Sequence, residues 1–546
     1  MNRMLCFAVY LLWVVPGYGL EIRARALPTV TPVPLSPERL AEPVDWKPGM
    51  PVREVPRQGL MVDTGGKRGG GTGQELVPGL AKTADGLQVD FDGEGEGFSG
   101  VNPPDPVLAA GSRQVVQMIN DFNGTRVRVL DRSQPGNGPV LRFVLGSLAT
   151  GSGTGCVSGW GDPIAHYDRQ AARWLLSEFT QDSWCLYVSA TDDLLSTVWH
   201  LYEFPSRDGG IPDFPKLTQW GDGYYLTTNE GGPYIYAFER DAVLAGQPVT
   251  PQVFTAVPPL TGFVFNALQG VNQTGLLPAA GPAPFLRHRD DEAHDSQPVA
   301  GQDFIELWWL QPDWTDPGQS VLQGPDDVAV AEFDSDLCGL VTFSCLEQPS
   351  SSVRLDPLRE VVMWPAVWRQ LPDGSQHILG NFVTDADGTD RAAVRWFHLS
   401  YTAGNWALQQ EGVVDGSDGI SRWMGSQAMD DNGGMVLLYN RMDNTSLFPG
   451  LALAGRALAD PPGSLGVERP LVDGQAANAS FRYGDYNTLV ADSQDGCLFW
   501  GTGLYNPAGN WSTRVFAVRR TGCRDRPLFA DSMESPPEVI MSSSFE

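Results

Sequence analysis

A set of charged residues stands at one recurring place in this chain: Asp105, Asp162, Asp213, Lys216, Arg369, Arg422, Arg482 and Asp485. Most sit beside Gly, Pro or an aromatic residue and just ahead of a short apolar run, as in Gly161-Asp162-Pro163, Asp213-Phe214-Pro215-Lys216 and Arg482-Tyr483-Gly484-Asp485-Tyr486. Two kinds of chemistry suit such a set. Carboxylates facing guanidinium forks can orient an anionic or hydroxyl-rich ligand, with Asp105, Lys216, Arg369, Arg422 and Arg482 as the binding candidates. Alternatively, two carboxylates facing each other can serve as acid and base, or acid and nucleophile, in glycoside cleavage. For that role Asp162, Asp213 and Asp485 are the catalytic candidates, helped by Arg422 and Arg482. The plain alternative is that these Asp and Arg residues pair with one another or cap turns, fastening one sheet to the next.

The elements that must position these residues are hairpins. Four stretches share one order of polar start, apolar strand, turn and second apolar strand. They begin at Gly161-Asp162-Pro163, Asp213-Phe214-Pro215, Arg422-Trp423-Met424-Gly425 and Arg482-Tyr483-Gly484-Asp485. Gly, Asp and Asn between the apolar runs are turn formers. A hairpin recurring every few tens of residues predicts an all-β chain arranged as a β-propeller, in which radial repetition leaves only short edges. About seven blades are expected, with six or eight as alternatives because the stretch between Val253 and Leu310 has the weakest pattern. A β-sandwich explains the alternating strands equally well, but not the repeated opening residues. In a propeller, the starts of the innermost strands meet at one mouth of a central channel, which brings the charged set together.

Other residues carry weaker chemical signals. Asp385-Ala386-Asp387-Gly388-Thr389-Asp390 alternates carboxylates around a Gly, a pattern that suits Ca2+, with Asp385, Asp387 and Asp390 as ligands. The same letters also make an ordinary acidic hairpin, and the distal Glu of a full calcium loop is missing. His288 and His294 flank Arg289-Asp290-Asp291-Glu292, but their spacing and the surrounding residues read as a solvated loop. No nucleophile elbow, phosphate loop or dinucleotide fingerprint occurs in strand–turn–helix context. No cofactor is expected apart from that candidate Ca2+.

Composition limits the partners. With 65 acidic against 37 basic residues the formal charge is −28, which excludes a phosphate-binding basic face and therefore nucleic acid. The 62 Gly and 43 Pro punctuate a chain whose 17 Trp, 24 Phe and 14 Tyr can fill a sizeable core. Residues 1–19 read as a signal peptide: Arg3, the apolar run Met4 to Val15, then Pro16-Gly17-Tyr18-Gly19. No later segment reaches membrane-spanning length. Residues 20–86 are rich in Pro and then Gly and read as a disordered arm. The propeller is expected over 87–523, and an acidic tail over 524–546. The cysteines after the leader, Cys156, Cys185, Cys338, Cys345, Cys497 and Cys523, form an even set. In an exported chain they are expected as disulfides between sequence neighbours.

The ordered motifs Phe91-Asp92-Gly93, Pro103-Pro104-Asp105, Gly161-Asp162-Pro163, Arg173-Trp174-Leu175-Leu176, Asp213-Phe214-Pro215-Lys216, Arg422-Trp423-Met424-Gly425-Ser426 and Arg482-Tyr483-Gly484-Asp485-Tyr486 together resemble a family of secreted bacterial β-propeller-like proteins. The resemblance spans roughly Phe91 to Cys523 and implies fold and export. It brings no established activity. This chain departs from the pattern at Pro106-Val107, where relatives carry a second acidic residue, and at Pro365 and Asn381-Phe382, where they carry an extra Arg and an Asn-His pair. The C-terminal residues are similar to a short tail on exported proteins of Gram-negative bacteria. The function expected is therefore a non-enzymatic extracellular binding or surface-interaction module for a glycan or protein ligand. The alternative is a polysaccharide-active glycoside hydrolase or lyase.

Overall fold

The computed structural model describes residues 20–36, 40–47, 50, 53–54, 87–95, 100–255, 257–260, 267–275, 277–294, 299, 301–339, 344–359, 362–508, 510–520 and 523. The expected leader and acidic tail lie outside the described residues. What is described is nearly all β. Helix is limited to short pieces such as Arg240–Leu244 and Asp291–His294, and among the described residues no helix is long and apolar enough to cross a membrane.

The strands form up-and-down antiparallel groups of four, each starting with an inner strand. The inner strands are Val107–Ala110, Gly161–Asp168, Asp213–Trp220, Gln269–Gln273, Ala366–Gln370, Ser421–Met429 and Thr488–Ala491. Each lies against the next, and Thr488–Ala491 lies against Val107–Ala110. The fourth and fifth groups are joined by a short parallel pairing of Val271–Gln273 with Ala366–Trp368, so they form one nine-stranded sheet. In the last group the outer strand is Leu87–Gly95, which pairs with Ser512–Arg519 from the other end of the chain. The core lies between groups. Leu175, Trp184 and Leu186 of one pack on Tyr224, Leu226 and Phe238 of the next, and Trp220, Phe285, Trp308 and Trp368 fill a larger cluster further on.

The repeated opening motif has a definite structure: it is a β-bulge. The register of the inner strand shifts between Gly161 and Ile164, between Asp213 and Lys216, and between Trp423 and Ser426. A non-glycine residue sits in the left-handed region at each: Asp162 (φ 45°), Phe214 (φ 54°) and Met424 (φ 54°), with Asp105 (φ 45°) in the matching place of the first group. Such a residue costs roughly 1–3 kcal/mol, and a bulge re-aims the side chains beside it. The following Pro106, Pro163 and Pro215 fit because a bulge leaves a backbone donor unneeded. The other end of the inner strand is closed by an acidic turn. Asp168 accepts from the backbone N–H of Gln170 and Ala171, Asp430 from Asn432 and Gly434, and Asp492 from Gln494 and Asp495. Part of the acidic excess is thus turn chemistry.

Residues expected as a disordered arm are in part ordered. Leu20–Arg23 pairs with the strand Val321–Ala331, Arg25–Ala26 with Gln252–Phe254, and Val33–Leu35 with Trp199–Pro205. Pro/Gly-rich sequence cannot build a core of its own, but it needs none here. The ladder bonds come from exposed outer edges, and Pro34 is tolerated on an edge strand. The cysteines pair as expected, Cys156–Cys185, Cys338–Cys345 and Cys497–Cys523.

Between the fourth and fifth groups, the connection from Phe333 to Trp364 carries the Cys338–Cys345 bridge and a short hairpin of Leu346–Glu347 with Arg354–Leu355. Its Leu337, Leu346, Leu355, Leu358 and Met363 pack on Phe214, Trp423, Met424, Tyr483 and Tyr486. It therefore roofs the end at which the inner strands begin.

Candidate functional site

Under that roof the bulges bring Asp105, Asp162, Lys216, Arg482 and Asp485 into one buried cluster, none more than 5% exposed apart from Arg482, whose side chain is 11% exposed. Asp485 Oδ2 accepts from Arg482 Nη2 at 2.8 Å. Lys216 Nζ donates to the Pro215 carbonyl at 3.2 Å and stands 3.9 Å from the ring centres of both Phe214 and Tyr486. Burial pulls the Lys216 pKa down to about 8, against the opposing pull of Asp162, Asp105 and other carboxylates. Asp105 is fully buried. Burial, then the charges of Asp162 and Asp485, push its pKa well above the usual carboxylate range. Asp162 is raised too, by burial, although Lys216 and Arg482 pull it the other way. The two acids are close enough to repel each other as carboxylates, yet neither Asp105 oxygen meets a donor in hydrogen-bond geometry among the described residues. A proton retained by the pair answers both facts: Asp105 is then the neutral acid of a pair that titrates as a unit.

From this cluster a channel of about 130 Å³ runs between the inner strands. Asp162, Lys216, Trp364 and Tyr486 line its roofed end, and Arg169, Gln170, Arg369, Asp492 and Ser493 line the other. Between them lies a polar belt. His166 Nε2 meets Gln219 Oε1 at 3.1 Å, and Gln170 Oε1 accepts from Gln273 Nε2 at 3.1 Å and from Gln219 Nε2 at 3.4 Å. Burial lowers the His166 pKa, so the ring is neutral at physiological pH. Gln170 is exposed, which marks the second end as the open one.

The expected convergence of the charged set is therefore only partial. Asp105, Asp162, Lys216, Arg482 and Asp485 do meet, but of these only Asp162 and Lys216 line the channel. Asp213 lies at its strand's start with Oδ1 accepting from the Phe214 N–H and does not line it. Arg369 belongs to the opposite end, because it is near the finish of Ala366–Gln370 rather than its start. Arg422 is also misplaced by the expectation. It precedes the bulge and donates to Asp418 at 2.8 Å and Glu468 at 2.6 Å, away from the channel lining.

Asp385, Asp387 and Asp390 behave as an acidic hairpin, not as a converging ligand set. Asp385 accepts from the N–H of Asp387, Gly388 and Asp390, Asp387 pairs with Arg391, and Asp390 accepts from the Cys338 N–H. The stretch around His288 and His294 is likewise not a solvated loop. It is a strand and a helical turn with both rings buried. Asp290, Glu292 and Asp303 place carboxylate oxygens within 4.8 Å of one another there. Asp290 and Asp303, however, accept backbone N–H groups of Ser335, Ala293, Asp291 and Phe333, so that cluster fastens a corner. Arg169, Ser493 and the belt residues carry no motif. Arg169 sits in the turn directly after Asp168, and only the strand's direction places it at the channel's open end.

No family model matches the chain, and no curated protein matches it. Among solved structures, the chain is similar to an endo-arabinase from Bacteroides thetaiotaomicron (18% identity, 58% of this chain and 95% of that chain, TM-score 0.26). It is also similar to a sialidase from Streptococcus pneumoniae (10% identity, 80% and 71% covered, TM-score 0.32). A third likeness is to an α-L-arabinofuranosidase from Fusarium graminearum (11% identity, 56% and 92% covered, TM-score 0.27). All three TM-scores are below 0.5.

Proposed function

We propose that the seven groups close into a seven-bladed β-propeller, that the protein is exported, and that its central channel binds a small polar ligand without transforming it. The contacts between successive inner strands and the pairing of Leu87–Gly95 with Ser512–Arg519 support closure. The disulfides support an oxidising compartment. The family resemblance of the motifs agrees with both.

One observation carries the choice of binding over hydrolysis: of Asp162, Asp213 and Asp485, only Asp162 lines the channel. Glycoside cleavage usually needs two carboxyls flanking the bond, roughly 5–10 Å apart. Here the partner of Asp162 is Asp105, which lies behind it and outside the lining. The lining itself mixes Tyr486 and Trp364 with Asp162, Lys216, Asn272 and Gln219, which suits the alternating apolar faces and hydroxyls of a sugar. A glycan end fits such a narrow channel; a folded protein surface does not.

Native mass spectrometry of the purified protein against a panel of bacterial, plant and animal glycans tests this. Intact complexes that are lost in Asp162→Asn, with no new product masses, are the expected result. New product masses that vanish in the same variant would make the protein an enzyme.

A further inference from the structure

The open end of the channel holds donors with nothing to donate to. Arg169 Nε and Nη2 are buried and have no hydrogen-bond partner among the described residues, and the same is true of the Ser493 hydroxyl. Both residues line the channel, and so does Arg369. Leaving a guanidinium edge dry and unpaired is costly in a folded protein, since desolvation is not returned. The nearby carboxylates do not relieve it. Asp431 is paired with Arg369 Nη1. Asp492 is filled by Arg132, at 2.6 and 2.9 Å, by the Trp500 indole N–H at 2.7 Å, and by two backbone N–H groups. With Arg369 matched by Asp431 and Arg132 by Asp492, one positive charge is left over, on Arg169. Burial, then the charge of Arg369, disfavours its cationic form, while Asp431 and Asp492 favour it from a distance without bonding to Nε or Nη2.

From this geometry we infer that the open end is a binding site for a single carboxylate, held by the Nε–Nη2 edge of Arg169 with the Ser493 hydroxyl and Arg369 beside it. Nε and one Nη of a guanidinium form the edge that meets two carboxylate oxygens in parallel. One unmatched charge suits a monoanion better than a phosphate dianion. The inference deepens the channel-binding reading and rests on it. If the bound molecule is a sugar, it is an acidic one, with its carboxylate at the open end and its hydroxyls directed inward to the Gln219 and Asn272 belt.

The test uses sodium glucuronate and glucose as paired probes, titrated calorimetrically into the full-length exported protein. Glucuronate should bind and glucose should bind far more weakly. Arg169→Gln should weaken glucuronate roughly 10- to 100-fold, the scale of a lost charge-assisted contact, and leave the glucose response unchanged. Arg169→Lys, which keeps the charge but not the fork, should recover only part of the loss, and it carries the test should the Gln variant fail to fold. Equal binding of the two probes, or glucuronate binding unchanged in Arg169→Gln, would overturn the carboxylate site while leaving a neutral channel ligand standing. Failure of glucuronate to bind the wild type would also overturn it, whereas the channel reading itself is decided by the glycan panel and Asp162→Asn.

Discussion

A carboxyl group sealed from water beside another carboxyl keeps its proton, and Asp105 is in that position. The cations in its cluster are Lys216 and Arg482, and the other carboxylates are Asp162 and Asp485. Those four can balance one another, so a charge on Asp105 would be one too many. The stability consequence has a definite sign. In the unfolded chain Asp105 ionises at the ordinary Asp value, while in the folded chain it holds its proton to much higher pH. Between those two values the folded state binds more protons, so this group makes stability fall as pH rises. Asp105→Asn keeps the shape of the neutral acid and removes that loss. The variant should match the wild type near pH 3 and gain on it progressively above pH 4, with a melting midpoint clearly higher than wild type at neutral pH. Thermal melts of both proteins across that range check it, and a variant less stable than wild type at pH 7 would mean that Asp105 is ionised and needed as a charge.

At the scale of elements, the bulges and the edge strands decide what is near what. The starts of the inner strands were legible because Asp, Gly and Pro mark a bulge or turn chemically, as at Gly161-Asp162-Pro163 and Asp213-Phe214-Pro215. Side-chain direction was not legible, since a bulge resets the alternation of faces. That is why Arg422, just before one bulge, faces Glu468 instead of the channel. Arg369 resembles the strand-start residues in sequence although it lies at a strand's end, and Arg169 gives no signal because a turn has no period to follow. The strands of 20–35 were hidden for a different reason: their bonds are all supplied by partners more than 160 residues away in sequence. Those pairings predict the effect of a truncation. A protein lacking residues 20–36 should still fold, because each inner strand and its hairpin remain. It should nonetheless expose the outer edges at Trp199–Pro205, Gln252–Phe254 and Val321–Ala331, and uncovered edges invite pairing between molecules. Light scattering on heating should show earlier aggregation than the intact protein, and size-exclusion chromatography at low temperature should still show the monomer-sized species. Identical aggregation onset in the two proteins would mean that the edge pairings contribute nothing.

For the whole molecule, the decisive pairing is between its two ends. Leu87–Gly95 adds the outer strand to the group formed by Thr488–Ala491, Leu498–Tyr505 and Ser512–Arg519, with Arg514 bonded to both Asp90 and Asp92 and the Tyr505 hydroxyl also on Asp92. The first group follows directly in the chain, so this strand ties the last group to the first through the backbone as well as through the contact of Thr488–Ala491 with Val107–Ala110. If the groups close into a ring, as proposed, the ring should unfold as one unit, because no group could leave without opening the seam. Removing residues 1–99 takes away that strand and should do what loss of 20–36 does not. The last group would keep only three strands, with Val515 and Ala517 left on an unpaired edge. Calorimetry should then show a broadened or split transition in place of a single one, and hydrogen exchange should accelerate first in Leu498–Tyr505 and Ser512–Arg519. Reducing the Cys497–Cys523 bridge, which anchors the end of the same group, should deepen the effect. A single sharp transition at the intact protein's temperature, with slow exchange throughout the last group, would show that the inner strands alone hold the groups together and that the terminal strand is dispensable.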